Sequence, residues 1–178
     1  VSIIVGNGNN TVTDTAALAG ATVNITAGTG ADTVTVGGAA TNNITFGAHT
    51  GADAVTVGGN TSGTVVPSAA ITGLNLTGTD TITFAADGAA GNGGFTVFTT
   101  QQINTFGNNP TTLAGAVAGV LAAGGGNLAQ HGIGAFQFQG STYLVEQDNA
   151  AGDAFGEGDT LVQLNGAYAF SGIAGTTT

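Results

Sequence analysis

Over its first hundred residues the chain alternates apolar and polar positions in short bursts, as in Thr22-Val23-Asn24-Ile25-Thr26 and Thr33-Val34-Thr35-Val36. A period of two puts Val and Ile on one face of a strand and Thr on the other. The bursts predict strands centred on Ile4, Val12, Val23 to Ile25, Val34 to Val36, Ile44 to Phe46, Val55 to Val57, Val65, Leu74 to Leu76, Ile82 to Phe84 and Val97. Gly, Asn and Asp separate them and mark turns.

Two of these bursts belong to a phrase that the chain repeats. Asn24-Ile-Thr-Ala-Gly-Thr-Gly-Ala-Asp32-Thr-Val-Thr-Val-Gly-Gly38 is followed by Asn43-Ile-Thr-Phe-Gly-Ala-His-Thr-Gly-Ala-Asp53-Ala-Val-Thr-Val-Gly-Gly59. The offset is 19 residues from Asn24 to Asn43 and 21 from Asp32 to Asp53. Two strands per unit with glycine corners predict a mainly β chain built as a parallel β-solenoid, each coil stacking its inward Val and Ile on the next. Threonine suits the outward face, since it keeps strand propensity while remaining polar.

The pattern changes near Thr99. A polar stretch runs to Pro110, where Asn109 and Pro110 read as the cap and first residue of a helix. Leu113, Val117, Val120 and Leu121 follow at helical spacing until Gly124-Gly-Gly126 ends the run, so one short, Ala-rich helix is expected. Its stripe must dock on something, because an isolated helix of this length is marginal in water. Strands then return as a hairpin, with Phe136 and Phe138 on one arm, a turn at Gly140-Ser141 and Tyr143 to Gln147 on the other; Thr160 to Leu164 is a further strand. Three segments result: repeats over 1–98, a polar linker and helix over 99–134, and a C-terminal β region over 135–178. The tail from Gly172 to Thr178 carries no anchor and is expected to move freely.

Charge sharpens this picture. The 178 residues include 33 Gly, 10 Asp plus Glu, and neither Lys nor Arg, for a formal net charge of −10. Carboxylate repulsion must be met by water, backbone N–H groups or bound cations. A polyanion without a basic side chain has no means of releasing counterions from phosphates, so nucleic acid is excluded as a partner, and anionic membranes are disfavoured on the same ground. No window approaches the ~20 apolar residues of a membrane span. Cysteine is absent, which removes disulfides and thiolate metal sites; hard, oxygen-ligated cations fit the composition and zinc does not. The chain opens at Val1 within a strand-like run, as expected of a processed chain or part of a longer one.

The repeated aspartate turn resembles the glycine-aspartate nonapeptide of RTX proteins, G-G-x-G-x-D-x-U-x, which winds a parallel β-roll around calcium. The best match is Ala27-Gly28-Thr29-Gly30-Ala31-Asp32-Thr33-Val34-Thr35. Val5-Gly6-Asn7-Gly8-Asn9-Asn10-Thr11-Val12-Thr13 offers Asn10 at the aspartate position, and Ala48-His49-Thr50-Gly51-Ala52-Asp53 keeps Gly51 but puts His49 at the other glycine. A fourth copy retains Gly78 and Asp80. The resemblance implies calcium held by Asp32, Asp53 and Asp80 with the carbonyls of turns at Gly28, Gly30, Gly51 and Gly78, and by Asn10. The units are longer than two nonapeptides, so fewer ions than coils are expected. The residues taken alone leave a second reading open, in which Asp and Asn cap turns by bonding their own backbone.

A second resemblance covers residues 135 to 166. Ala135-Phe-Gln-Phe-Gln-Gly-Ser-Thr-Tyr-Leu-Val-Glu-Gln-Asp148-Asn149 and Gly158-Asp159-Thr-Leu-Val-Gln-Leu-Asn-Gly166 look like the C-terminal region of type I secreted bacterial surface proteins, including calcium-dependent S-layer proteins. It implies export by an uncleaved C-terminal signal and an extracellular location at the bacterial cell surface. Asp148, Asp153, Glu157 and Asp159 crowd the loop between these strands; they converge on one ion or form a solvated acidic loop. Their spacing is not that of an EF-hand.

Catalytic signals are poor. His49 and His131 are the only imidazoles, and the serines occupy no nucleophile context. No enzyme is expected. The reading is a structural subunit of a self-assembling extracellular surface layer or filament, with other copies of itself and cell-surface polysaccharide as partners. An adhesin or glycan-binding module of a larger secreted protein is the alternative, as is the calcium-binding tail of a secreted hydrolase.

Overall fold

The computed structural model describes residues 1–15, 18–85, 94–121, 128–148 and 154–173. Among these the chain is mainly β: twelve strands in two sheets, with short helices between and after them. The repeat region contributes β1 (Ser2–Ile4), β2 (Thr11–Asp14), β3 (Thr22–Ala27), β4 (Thr33–Gly38), β5 (Thr41–Phe46), β6 (Ala54–Asn60), β7 (Ala69–Thr72) and β8 (Thr81–Phe84). Odd-numbered strands enter one sheet and even-numbered strands the other, β2-β4-β6-β8, and neighbours within each are parallel. Parallel neighbours need a crossover; here each crossover is a strand of the opposite sheet.

Register follows the repeat. Ile3, Ile25, Ile44 and Ile71 stack in one sheet, and Val12, Val34, Val55 and Ile82 in the other. These side chains face inward and, apart from the half-buried Ile3 of the first strand, are buried between the sheets, while the Thr of the same strands face outward or lie half-buried. A one-residue slip would turn every Val and Ile outward, so burial itself specifies the pairing. Outside, Asn43 Nδ2 donates to Asn24 Oδ1 at 2.9 Å, extending the stack to polar side chains.

Two expected strands are absent. Val65 lies in irregular chain, and Leu74 to Leu76 forms a turn after β7, whose residues are Ala69–Thr72. Leu74 and Leu76 are nevertheless buried; they fill the core from a turn, and apolar character alone does not distinguish that from a strand.

The C-terminal half extends the odd-numbered sheet. The strands β9 (Phe95–Phe98), β10 (Ile133–Phe138), β11 (Ser141–Glu146) and β12 (Thr160–Leu164) complete the order β1-β3-β5-β7-β12-β11-β10-β9. The last three are buried on both faces. Ile133, Ala135, Leu144, Val162 and Leu164 join the core between the sheets, while Phe136, Tyr143, Val145 and Leu161 face a second core. That second core is closed by helices, which answers where the apolar stripe docks.

The helices differ from the single one expected. α1 (Thr100–Phe106) occupies the stretch read as polar linker; Thr99 and Gln102 form a capping box, with Gln102 N–H donating to Thr99 Oγ1 and Thr99 N–H to Gln102 Oε1. α2 (Leu113–Leu121) begins three residues after Pro110. Asn109 has φ of 54°, outside any N-cap conformation, and Thr112 instead caps α2 by accepting from Gly115 N–H at 3.2 Å. A short α3 (Phe170–Ile173) follows β12, so the tail expected to be loose from Gly172 starts inside a helix; its residues 174–178 and the glycines 124–126 lie outside the described residues. The hairpin turn is also one residue earlier than expected. Gln139 and Gly140 both have positive φ, 48° and 84°, the two-residue turn that matches strand twist.

Candidate functional site

Asn10, Asp32, Asp53 and Asp80 each immediately precede a strand of the β2-β4-β6-β8 sheet. Because those strands are in register, the four side chains stack in a column. Asp32, Asp53 and Asp80 are buried, at 1%, 1% and 0% exposure. The column is stitched by its own backbone: Asn10 N–H donates to Asp32 Oδ1 at 2.9 Å, Asp32 N–H to Asp53 Oδ1 at 2.7 Å, and Asp53 N–H to Asp80 Oδ1 at 3.0 Å. Asn10 ends it, its Nδ2 donating to Asp32 Oδ1 and to the Gly6 and Gly8 carbonyls.

The column thus uses Oδ1 of each carboxylate. Asp32 Oδ2 and Asp53 Oδ2 are buried and accept no hydrogen bond. Rungs about 4.8 Å apart place like charges close together in a dry setting, which is costly unless a cation or proton intervenes. Asp53 responds accordingly: burial pushes its carboxyl above the ordinary value, its neighbours Asp80 and Asp32 add to the rise, and the Asp32 N–H and His49 oppose it.

His49 supplies the one cationic group in contact with the column among the described residues. The loop from β3 to β4 spans Gly28 to Asp32, five residues, whereas that from β5 to β6 spans Gly47 to Asp53, seven. The two extra residues carry the imidazole inward until its side chain is 5% exposed. Nδ1 lies 2.7 Å from the Gly47 carbonyl, and Nε2 lies 2.9 Å from Asp80 Oδ2 and 3.3 Å from Asp53 Oδ2. Both nitrogens face acceptors, an arrangement that favours the protonated ring. Its pKa is raised first by the Gly47 carbonyl and then by Asp80 and Asp53, against the opposing effect of burial. Asp80 Oδ2 also accepts from Asn75 N–H at 2.6 Å.

The turn glycines are required sterically. Gly30 has φ of +142°, and a Cβ there would lie 2.5 Å from the Gly8 carbonyl oxygen; a Cβ on Gly51 would strike the Gly30 carbonyl in turn. Gly28 stacks on Gly6 in the same way. Gly78 differs, since its N–H donates to Asn75 O within a local turn.

The acidic loop is described at Asp148 and from residue 154 onward. Asp159 is buried and its two oxygens accept from Asp148 N–H and Gly156 N–H, both at 2.8 Å, so it closes the loop. Asp148 and Glu157 instead line a surface concavity of about 330 Å³ with Gly59, Asn60, Thr61, Ala85 and Gly158. Asp153 lies outside the described residues.

Two residues not expected at a site join Asp148. His131 Nδ1 lies 3.3 Å from Asp148 Oδ1 and 3.9 Å from the buried Glu146 Oε1, and these donors form a second cluster with metal-ligand geometry beside that of His49, Asp53 and Asp80. The hairpin register explains it: Ile133 pairs with Glu146, so His131 and Asp148 flank the pair. Ser141 sits at the other end of β11, away from both. No family model, curated protein or solved structure matches this chain.

Proposed function

We propose that this chain is a structural subunit of an extracellular bacterial surface layer or filament, built on a parallel β-solenoid that calcium stabilises. One observation carries the reading: in a column of buried aspartates Asp32 Oδ2 accepts no hydrogen bond, in a chain that has no lysine or arginine to neutralise it. Alternation of β1 to β8 between two sheets in which these strands pair in parallel supports the solenoid, since each pair of strands is then one coil. Calcium takes several oxygen ligands, typically including carboxylates and backbone carbonyls, and the Asp32 turn and the Asp148–Glu157 concavity offer both. Binding to the folded state adds RT ln(1 + [L]/Kd), about 2.7 kcal/mol per site at a hundredfold excess over Kd. Scarce calcium inside the cell keeps the chain unfolded for export, and abundant calcium outside folds it.

Assembly has a structural basis in the first coil. Among the described residues β1 and β2 are edge strands of their sheets, and Ile4 of β1 is 78% exposed. Unpaired parallel edges template pairing with another copy. No helix among the described residues is long and apolar enough to cross a membrane; on this reading attachment runs through other copies or cell-surface polysaccharide. Sedimentation and electron microscopy in calcium and in EGTA test the proposal: ordered polymers are expected in calcium alone. A calcium-bound monomer that binds glycans would replace it with the adhesin reading.

A further inference from the structure

We infer that His49 Nε2, Asp53 Oδ2 and Asp80 Oδ2 form a binding site for a zinc-type divalent transition metal, distinct in chemistry from calcium.

Ligand geometry comes first. Zinc binds imidazole nitrogen and carboxylate oxygen at about 2.0–2.2 Å in a tetrahedron, which sets ligand atoms about 3.3–3.6 Å apart. Here Nε2 lies 2.9 and 3.3 Å from the two oxygens, and all three lie within 4.8 Å of one another. To seat an ion, Nε2 and Asp80 Oδ2 need to part by a few tenths of an ångström. Calcium asks for 6–8 oxygens at longer range, and this buried triad offers two and a nitrogen.

The outer shell is already in place. A metal-bound histidine donates its other N–H to a carbonyl or carboxylate, which fixes the tautomer. His49 Nδ1 does this to Gly47 O at 2.7 Å, leaving Nε2 aimed at the carboxylates. Asp53 Oδ2 is fully buried, accepts no hydrogen bond and points into the triad. Asp80 is held in turn by the N–H groups of Asn75 and Asp53.

Charge and access agree. A divalent ion with two carboxylates and a neutral imidazole sums to zero. A concavity of about 460 Å³ lined by Thr29, Gly30, Ala48, His49 and Thr50 reaches the imidazole from solvent. Composition argued against zinc for want of cysteine; a histidine-carboxylate set is a zinc ligand set without it. The site does not depend on calcium binding elsewhere.

The test uses the full chain, labelled with ¹⁵N-histidine, stripped with chelator and then kept in excess calcium. The chain has only two histidines, so His131→Gln leaves His49 as the single ring. One equivalent of zinc is expected to move the Nε2 resonance of that ring while Nδ1 stays protonated. By calorimetry, His49→Gln is expected to weaken zinc binding by more than the ~10–100-fold typical of losing an outer-shell partner. An unmoved His49 ring, or a zinc response confined to His131 in the unmutated chain, would overturn the assignment. A chain that takes zinc but shows no calcium response would retire the calcium reading alone.

Discussion

Asn10 donates twice to Asp32 Oδ1, from its amide N–H and its Nδ2, both at 2.9 Å, while Asp32 Oδ2 accepts nothing. One oxygen of Asp32 therefore serves the fold, and the other is free for a cation. Asp32→Ala strands the Asn10 amide and is expected to cost roughly 1–3 kcal/mol with or without calcium. Asp32→Asn keeps an acceptor and removes the charge, so in chelator it costs less than Asp32→Ala. In calcium it forfeits part of the ion's stabilisation. Urea denaturation of both variants in calcium and EGTA separates the two roles.

Glycine at the coil corners is a packing requirement. Gly30→Ala combines a strained backbone with a collision against the Gly8 carbonyl; each effect typically costs about 1–3 kcal/mol. A Cβ on Gly6 would meet nothing within 4 Å, so Gly6→Ala is expected to stay within about 0.5 kcal/mol of the parent. Equal losses for the two variants, measured by denaturant midpoint, would refute this stacking.

The pH dependence of metal-free protein follows from two shifts of the same sign. Asp53 and His49 both titrate above their ordinary values in the fold, so the folded state holds the protons more tightly than the unfolded chain. Asp53 contributes stability that is present below the ordinary carboxyl value of 3.8 and is lost as pH rises through its folded value. His49 contributes stability that is full below 6.5 and is lost as pH rises through its own. Thermal melts in EGTA should therefore fall as pH climbs past 6.5 in the parent, and His49→Gln should flatten that segment.

Edge pairing is open to a single substitution. Ile4 is 78% exposed beside the unpaired edge of β1, and a lysine there blunts strand addition. Ile4→Lys is expected to leave the circular dichroism spectrum and denaturant midpoint unchanged while abolishing ordered polymers. Polymers of parental order from this variant would move the contact elsewhere.

Much of this was legible in the residues. The Val and Ile alternation specified eight of the ten strands expected in the first half, because burial on one face of a strand is a period-two code. Val65 and Leu74–Leu76 misled because a buried residue in a turn has the same composition as one in a strand. α1 went unread although Thr99 and Gln102 carry the capping-box spacing, since its polar exposed face hid the one buried residue, Ile103. At the site, the aspartate column was legible from the repeat. The role of His49 was encoded in the difference between offsets of 19 and 21 residues, a two-residue insertion that reads as degeneracy until the strands are aligned. His131 and Glu146 required the hairpin register, and placing the turn at Gly140-Ser141 rather than Gln139-Gly140 breaks their pairing with Asp148.

In the proposed function calcium couples the fold to assembly. The most direct test of that coupling is a calcium titration of chelator-stripped protein, followed by circular dichroism and light scattering in the same sample. Strand signal and scattering rising together, with ordered polymers at the end point, is the predicted result. A chain that holds its strand signal and its assembly state unchanged from EGTA to saturating calcium would contradict it.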